Sequence, residues 1–177
     1  MSLSETALPS HCTPAEAIAL FDSLAPTDLD FMMGRWRGAE ICTGNPLEGL
    51  LPVIGWYGKE FVSAECVHPL MFENGRGGTF NVAAIARLTE VALKLPIPKS
   101  PQLKPIFRSL LLPLKTKQSQ ARLRMMEHRG KISATMVYDY LPIHDVFRRV
   151  DSHCVMGLMD YKALEAPYFF ALTREPE

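Results

Sequence analysis

The sequence predicts a mainly β protein, a closed antiparallel β-barrel with an N-terminal helix and short helical insertions, and three observations carry that prediction. Gly34-Arg35-Trp36-Arg37-Gly38 sets a tryptophan between two glycines at the start of a strand-like run. An indole there can plug the base of a barrel while the flanking glycines let neighbouring backbone come close. The C-terminal third breaks into five short strand-like runs at regular spacing, Gln120 to Glu127, Lys131 to Tyr138, Ile143 to Val150, Cys154 to Asp160 and Tyr168 to Thr173, the pattern of an antiparallel meander. At 177 residues the chain can bury one sizeable core, and these strands with three or so earlier ones suffice to close a small barrel.

In chain order, residues 1–12 read as a disordered leader, and Thr13-Pro14-Ala15-Glu16 is a capping box with proline at the first helical position. Ala17, Ile18, Leu20, Phe21 and Leu24 then form one apolar stripe, which predicts an amphipathic helix over 13–24. Thr27-Asp28-Leu29-Asp30 starts a second, single-turn helix ahead of the first strand, expected over Arg35 to Cys42. Leu47, Leu50, Leu51 and Ile54 recur at helical steps, and Trp56 to Phe61 is extended again. Val67 to Phe72 is a further strand, with Pro69 demoting it to an edge or a bulge. Residues 73–78 spell a hairpin turn, since Gly75-Arg76-Gly77-Gly78 lacks the lysine and hydroxyl residue of a phosphate loop. From Leu88 to Lys115 five prolines interrupt an apolar insertion whose part from Leu103 to Leu112 is helical, placed over the barrel mouth or along its side.

Composition removes several functions. Lys plus Arg equals Asp plus Glu at 19 each, so no overall basic charge announces a nucleic-acid partner. No apolar run approaches the roughly 20 residues of a membrane span, and the N-terminus lacks a signal sequence, so a cytoplasmic location is expected. Cys12, Cys42, Cys66 and Cys154 are scattered without a paired spacing, which predicts structural free thiols and no metal site.

Two segments carry a family resemblance. Gly34 to Gly38, with Gly55-Trp56-Tyr57-Gly58-Lys59 and His68-Pro69-Leu70, resembles the uncharacterised bacterial family named for its GXWXG motif, over about residues 20–80. Tyr138 to Asp151, with Gly157 to Asp160 and Tyr168 to Phe170, resembles the domain of unknown function that usually follows it, within a meander over about 118–175. The two belong to one domain over 13–177. The pattern is also similar to calycins, the lipocalin and fatty-acid-binding group. That resemblance implies that Gly34, Trp36 and Gly38 are structural and that Arg174 packs over Trp36. It brings no established activity. Nitrobindin-like barrels, which also begin Gly-x-Trp-x-Gly, make haem an alternative to the expectation of no cofactor.

The chemistry-bearing residues cluster on three adjacent strands. Strand alternation puts His144, Val146, Arg148 and Val150 on one face and Ile143, Asp145, Phe147 and Arg149 on the other, and each face mixes apolar and charged residues, leaving open which points inward. The expected function is binding of a small apolar or amphipathic molecule, with Tyr138, His144, Arg148, Arg149 and Asp160 as the ligand-binding set and an arginine holding a carboxylate head. The structural alternative is an internal ion pair between Asp145 or Asp160 and an arginine. A barrel enzyme would use His144 and Asp160 as a proton-transfer pair across neighbouring strands. A homodimer through the apolar insertion is the remaining partner alternative.

Overall fold

The computed structural model describes residues 8–84 and 98–176. Thr13 accepts from the Glu16 N–H and Glu16 returns the bond, capping α1 (Pro14–Ser23). A two-residue strand β1 (Ala25–Pro26) follows, then α2 (Leu29–Met32), capped by Asp28. The strands are β2 (Gly34–Ile41), β3 (Trp56–Ser63), β4 (Cys66–Glu73), β5 (Thr79–Asn81), β6 (Ala121–His128), β7 (Lys131–Tyr138), β8 (Ile143–Arg149), β9 (Cys154–Tyr161) and β10 (Tyr168–Arg174). Helix α3 (Leu50–Ile54) joins β2 to β3, and α4 (Lys104–Leu111) lies in the insertion before β6. Of the insertion, residues 88–97 lie outside the described residues, as do residues 85–87 before it and leader residues 1–7. Ser10 and Cys12 are hydrogen-bonded to Cys42, tying that part of the leader to the sheet.

All ladders are antiparallel, and sequential strands pair from β2 around to β10, which pairs back with β2, so eight strands form a hydrogen-bonded ring. β1 and β5 lie off the ring, on β8 and β4. β4 stands between β3 and β6 and is no edge strand. Pro69, which has no N–H to donate, falls where the β3–β4 register shifts, and β4 pairs with β6 only at Val67, so the ladder tolerates it.

The ring separates two apolar clusters. Trp36, Trp56, Phe61, Leu123, Met136, Phe147 and Phe170 belong to the larger, interior one. On the outer face, Ala17 and Phe21 of α1 pack on Val146, Met156, Leu158 and Phe169. Trp36 closes the end where β2 begins: it is fully buried and its indole N–H donates to the Met32 carbonyl at 2.8 Å. The Arg174 guanidinium stands 4.3 Å over the indole and donates to the carbonyls of Phe31 and Met33. α3 connects the other ends of β2 and β3, with α4 packed on it, and Leu51, Ile54, Leu111 and Leu114 from this helical cap touch the interior cluster. Ile106, Leu110 and Leu112 are more than half exposed.

The motif glycines have separate jobs. A Cβ on Gly38 would sit 2.2 Å from the Trp56 ring, so this glycine makes room for a second interior tryptophan. Gly58, at φ +156°, lies so close to β2 that a Cβ would meet the Trp36 carbonyl oxygen at 2.0 Å. The backbone approach predicted around the motif is therefore made by a glycine one strand later.

Candidate functional site

The β3–β4 register shifts on both sides of Gly58. A bulge changes the parity of the residues that follow it. Counting alternately from buried Trp56 would send Lys59 outward; after the bulge Lys59 and Phe61 are buried and Glu60 is not. Lys59 pairs with Trp36 across the ladder, so the tryptophan that closes the ring and the lysine inside it are cross-strand neighbours.

The Lys59 ammonium meets Asp145 of β8, nitrogen to oxygen 2.8 Å, with the two side chains 4% and 1% exposed. The ammonium lies within hydrogen-bonding distance of Oδ2, and among the described residues Oδ1 has no partner. The lysine makes long contacts of 3.5 Å to the Tyr138 hydroxyl and the Pro69 carbonyl. Trp56, Phe170 and Tyr138 place their ring centroids 5.5, 5.1 and 5.7 Å from the ammonium. Gly157 opposite Phe170 leaves the space that this ring occupies. Burial lifts the Asp145 carboxyl above its usual range, a rise that Lys59 offsets only in part. Burial, then the Asp145 charge, raises the Tyr138 phenol well above its usual value, so it stays protonated.

The inward face of β8 is thus the one carrying Ile143, Asp145 and Phe147. Of the ligand-binding set read from the sequence, Tyr138 lies in this cluster. Arg148 is fully buried on the outer side, beneath α1, where it stacks on Phe21 at 4.9 Å and donates to the carbonyls of His128 and Phe147. Arg149 is exposed and lies 4.3 Å over Phe31. His144 and Asp160 are register partners on β8 and β9, and among the described residues no hydrogen bond joins them. Asp160 instead borders an outer cleft of about 210 Å³ with His128, Arg129, Glu165, Ile18 and Leu164. The internal ion pair involves Asp145, as the structural alternative had it, but with a lysine in place of an arginine.

Lys59 entered the sequence reading only as the last residue of the Gly55 to Lys59 motif, not as a site candidate. The available signal was a glycine inside a strand, which marks a bulge and therefore a change of face. Among the described residues no three His, Cys, Asp or Glu side chains are placed to share a metal ion. His68 is the buried histidine of the five, and among the described residues its Nδ1 has no hydrogen-bond partner. No described helix is long and apolar enough to cross a membrane. All four cysteines are free, and burial pushes the Cys154 thiol up to about 11.

Comparison with known proteins identifies the family. Residues 19–77 match the model of the GXWXG protein family, and residues 119–174 match the domain of unknown function DUF4334. No curated protein matches the chain. A solved structure, the crystal structure of a protein from Thermomonospora curvata, is similar at a TM-score of 0.70 and 33% identity, over 94% of this chain and 91% of that one. With both models matched in order and one residue in three shared across nearly the full length of that protein, the chain belongs to the family of GXWXG proteins that carry a DUF4334 domain.

Proposed function

We propose that the eight-stranded ring is a calycin-like barrel and that its interior takes a small apolar or amphipathic molecule with a neutral polar head. The observation that carries this is the buried Lys59–Asp145 pair, walled by Trp56, Phe170 and Tyr138. A buried ion pair is often no more stabilising than apolar residues of the same size, so a core serves stability equally well without one. Here the second carboxylate oxygen and the phenol proton keep hydrogen-bonding capacity that a ligand head can use. Lys59 is already balanced by Asp145. A carboxylate head would set a second negative charge beside that residue, whereas a carbonyl or hydroxyl finds both donor and acceptor. Arg148 and Arg149 lie apart from the Lys59 cluster, which is why we place the head at Lys59 and Tyr138.

Native mass spectrometry of the protein as purified from cells tests this reading, with denaturing analysis of whatever is released. The expected result is one neutral organic molecule per chain, lost when Lys59→Met and Asp145→Leu are combined. Equal occupancy in that double variant, or a chain that stays empty when challenged with neutral apolar carbonyl compounds and alcohols, would overturn it. Released haem would replace it with the haem reading, in which His68 is the buried imidazole to examine.

A further inference from the structure

The strongest further feature is the arrangement of three functional groups around one point. A primary amine, a carboxyl group and a phenol meet inside the ring, each from a different strand: Lys59 from β3, Asp145 from β8 and Tyr138 from β7. The amine nitrogen is 2.8 Å from a carboxylate oxygen and 3.5 Å from the phenol oxygen. Lys59 donates toward the phenol oxygen, which leaves the phenol's own proton to point elsewhere. A carbonyl group reaching the Lys59 and Tyr138 heads would present its carbon to the nitrogen and its oxygen to that proton.

We propose that Lys59 captures an aldehyde or ketone as an imine, with Asp145 as the proton acceptor and counter-ion and Tyr138 as the donor to the carbonyl oxygen. This rests on the binding function above and names its substrate class, a carbonyl compound with an apolar body. The steps balance without an oxidant or reductant. The ammonium passes one proton to Asp145, and the freed nitrogen lone pair forms a bond to the carbonyl carbon while the π electrons move to oxygen. A proton passes from nitrogen to that oxygen through the Tyr138 hydroxyl. Asp145 then protonates the resulting hydroxyl group, which leaves as water while the nitrogen lone pair closes the C=N bond. The product is a protonated imine beside the Asp145 carboxylate, so one ion pair has replaced another and the net change is loss of one water.

The surroundings suit both ends of this sequence. Burial lifts the Asp145 carboxyl, which makes it a readier proton acceptor than an exposed carboxylate. Three aromatic faces within 5.7 Å stabilise a cation on nitrogen whether it is an ammonium or an iminium.

The test is reductive trapping on the intact protein. It is incubated with trans-cinnamaldehyde and cyanoborohydride, digested, and mapped by mass spectrometry, while native spectra without reductant report non-covalent occupancy. We expect one cinnamyl group per chain on Lys59, ahead of every exposed lysine. Tyr138→Phe should slow that labelling roughly a hundredfold at unchanged non-covalent occupancy, a difference that a merely structural role would not produce. Lys59→Arg should leave only the slow surface labelling. Cinnamaldehyde held non-covalently, with labelling confined to surface lysines, would overturn the imine and leave the binding function standing. Cinnamaldehyde neither held nor coupled would overturn both. Because the wild-type peptide map and the Tyr138→Phe rate decide the matter, a misfolded Lys59 variant does not obscure it.

Discussion

Two buried cations sit on opposite sides of the same sheet and are treated differently. Arg148, outside the ring and under α1, faces no carboxylate within ion-pair distance among the described residues; it donates to the carbonyls of His128 and Phe147 and lies on Phe21. Those donors join the β6–β7 turn, β8 and α1. The neighbouring Arg129–Asp22 bridge and the Lys131 contacts to the carbonyls of Asp22 and Leu24 hold the end of the same helix. Lys59, inside, faces a carboxylate and a phenol and has one long contact to a backbone carbonyl, that of Pro69. A cation whose donors go to backbone carbonyls fastens elements together. One that faces a carboxylate and a phenol inside the ring is the cation on which the proposed binding function rests.

The largest expected effect comes from breaking the interior pair. Asp145→Ala leaves the Lys59 ammonium buried without its counter-charge and should cost about 3–5 kcal/mol in urea unfolding, whereas Lys59→Met combined with Asp145→Leu should return close to the parent's stability. A loss below about 1 kcal/mol in the single variant would show that water reaches the pair and would remove the contrast with the surface bridges. Next comes Gly58→Ala. Its Cβ cannot occupy a place 2.0 Å from the Trp36 carbonyl oxygen, so β2 and β3 must part, at a cost of about 1–3 kcal/mol or more, and Lys59 should lose its inward aim. Retained trapping of Lys59 in that variant would show that the bulge is not what aims it.

Arg148→Met keeps the stem's packing and removes the donors. We expect a loss of about 1–3 kcal/mol together with faster amide exchange in the β6–β7 turn, and no change in Lys59 labelling. A change in labelling would join the two regions that the structure separates.

The smallest effects are in pH. A carboxyl lifted in the folded state binds protons more tightly folded than unfolded. The stability that Asp145 contributes is therefore complete below the usual carboxylate value of 3.8 and falls as pH rises toward its folded value. His128 behaves oppositely: burial depresses it, so its contribution is present above the usual 6.5 and is lost as pH falls through the folded value. Unfolding series across pH should lose the first trend in the Lys59→Met, Asp145→Leu variant and the second in His128→Gln, each without disturbing the other.

Much of the architecture was legible because it is local. Thr13 with Glu16 spells its own cap, and the meander strands announce themselves by short extended runs between turns, so the structured strands begin and end within a residue or two of where the sequence puts them. The site was harder to read. β8 carries charge on both faces, and nothing in the order of its residues says that Asp145 rather than Arg148 turns inward. Lys59 was hidden by a parity error that one glycine introduces. His144 and Asp160 were correctly seen as cross-strand neighbours, yet they stand on the outer face, where α1 and the cleft beside Asp160 lie.

The sequence alone therefore determined the strands, the capped helix and the tryptophan-centred motif, because each depends on residues within a few positions of one another. Which charges face the interior was decided only when the ring closed. Closure brings Gly58 against the Trp36 carbonyl, turns Lys59 inward, and sets Asp145 of a strand far along the chain within 2.8 Å of it. Orientation of that kind comes from the cost of leaving a buried charge unpaired, a quantity defined only between residues that the tertiary structure brings together.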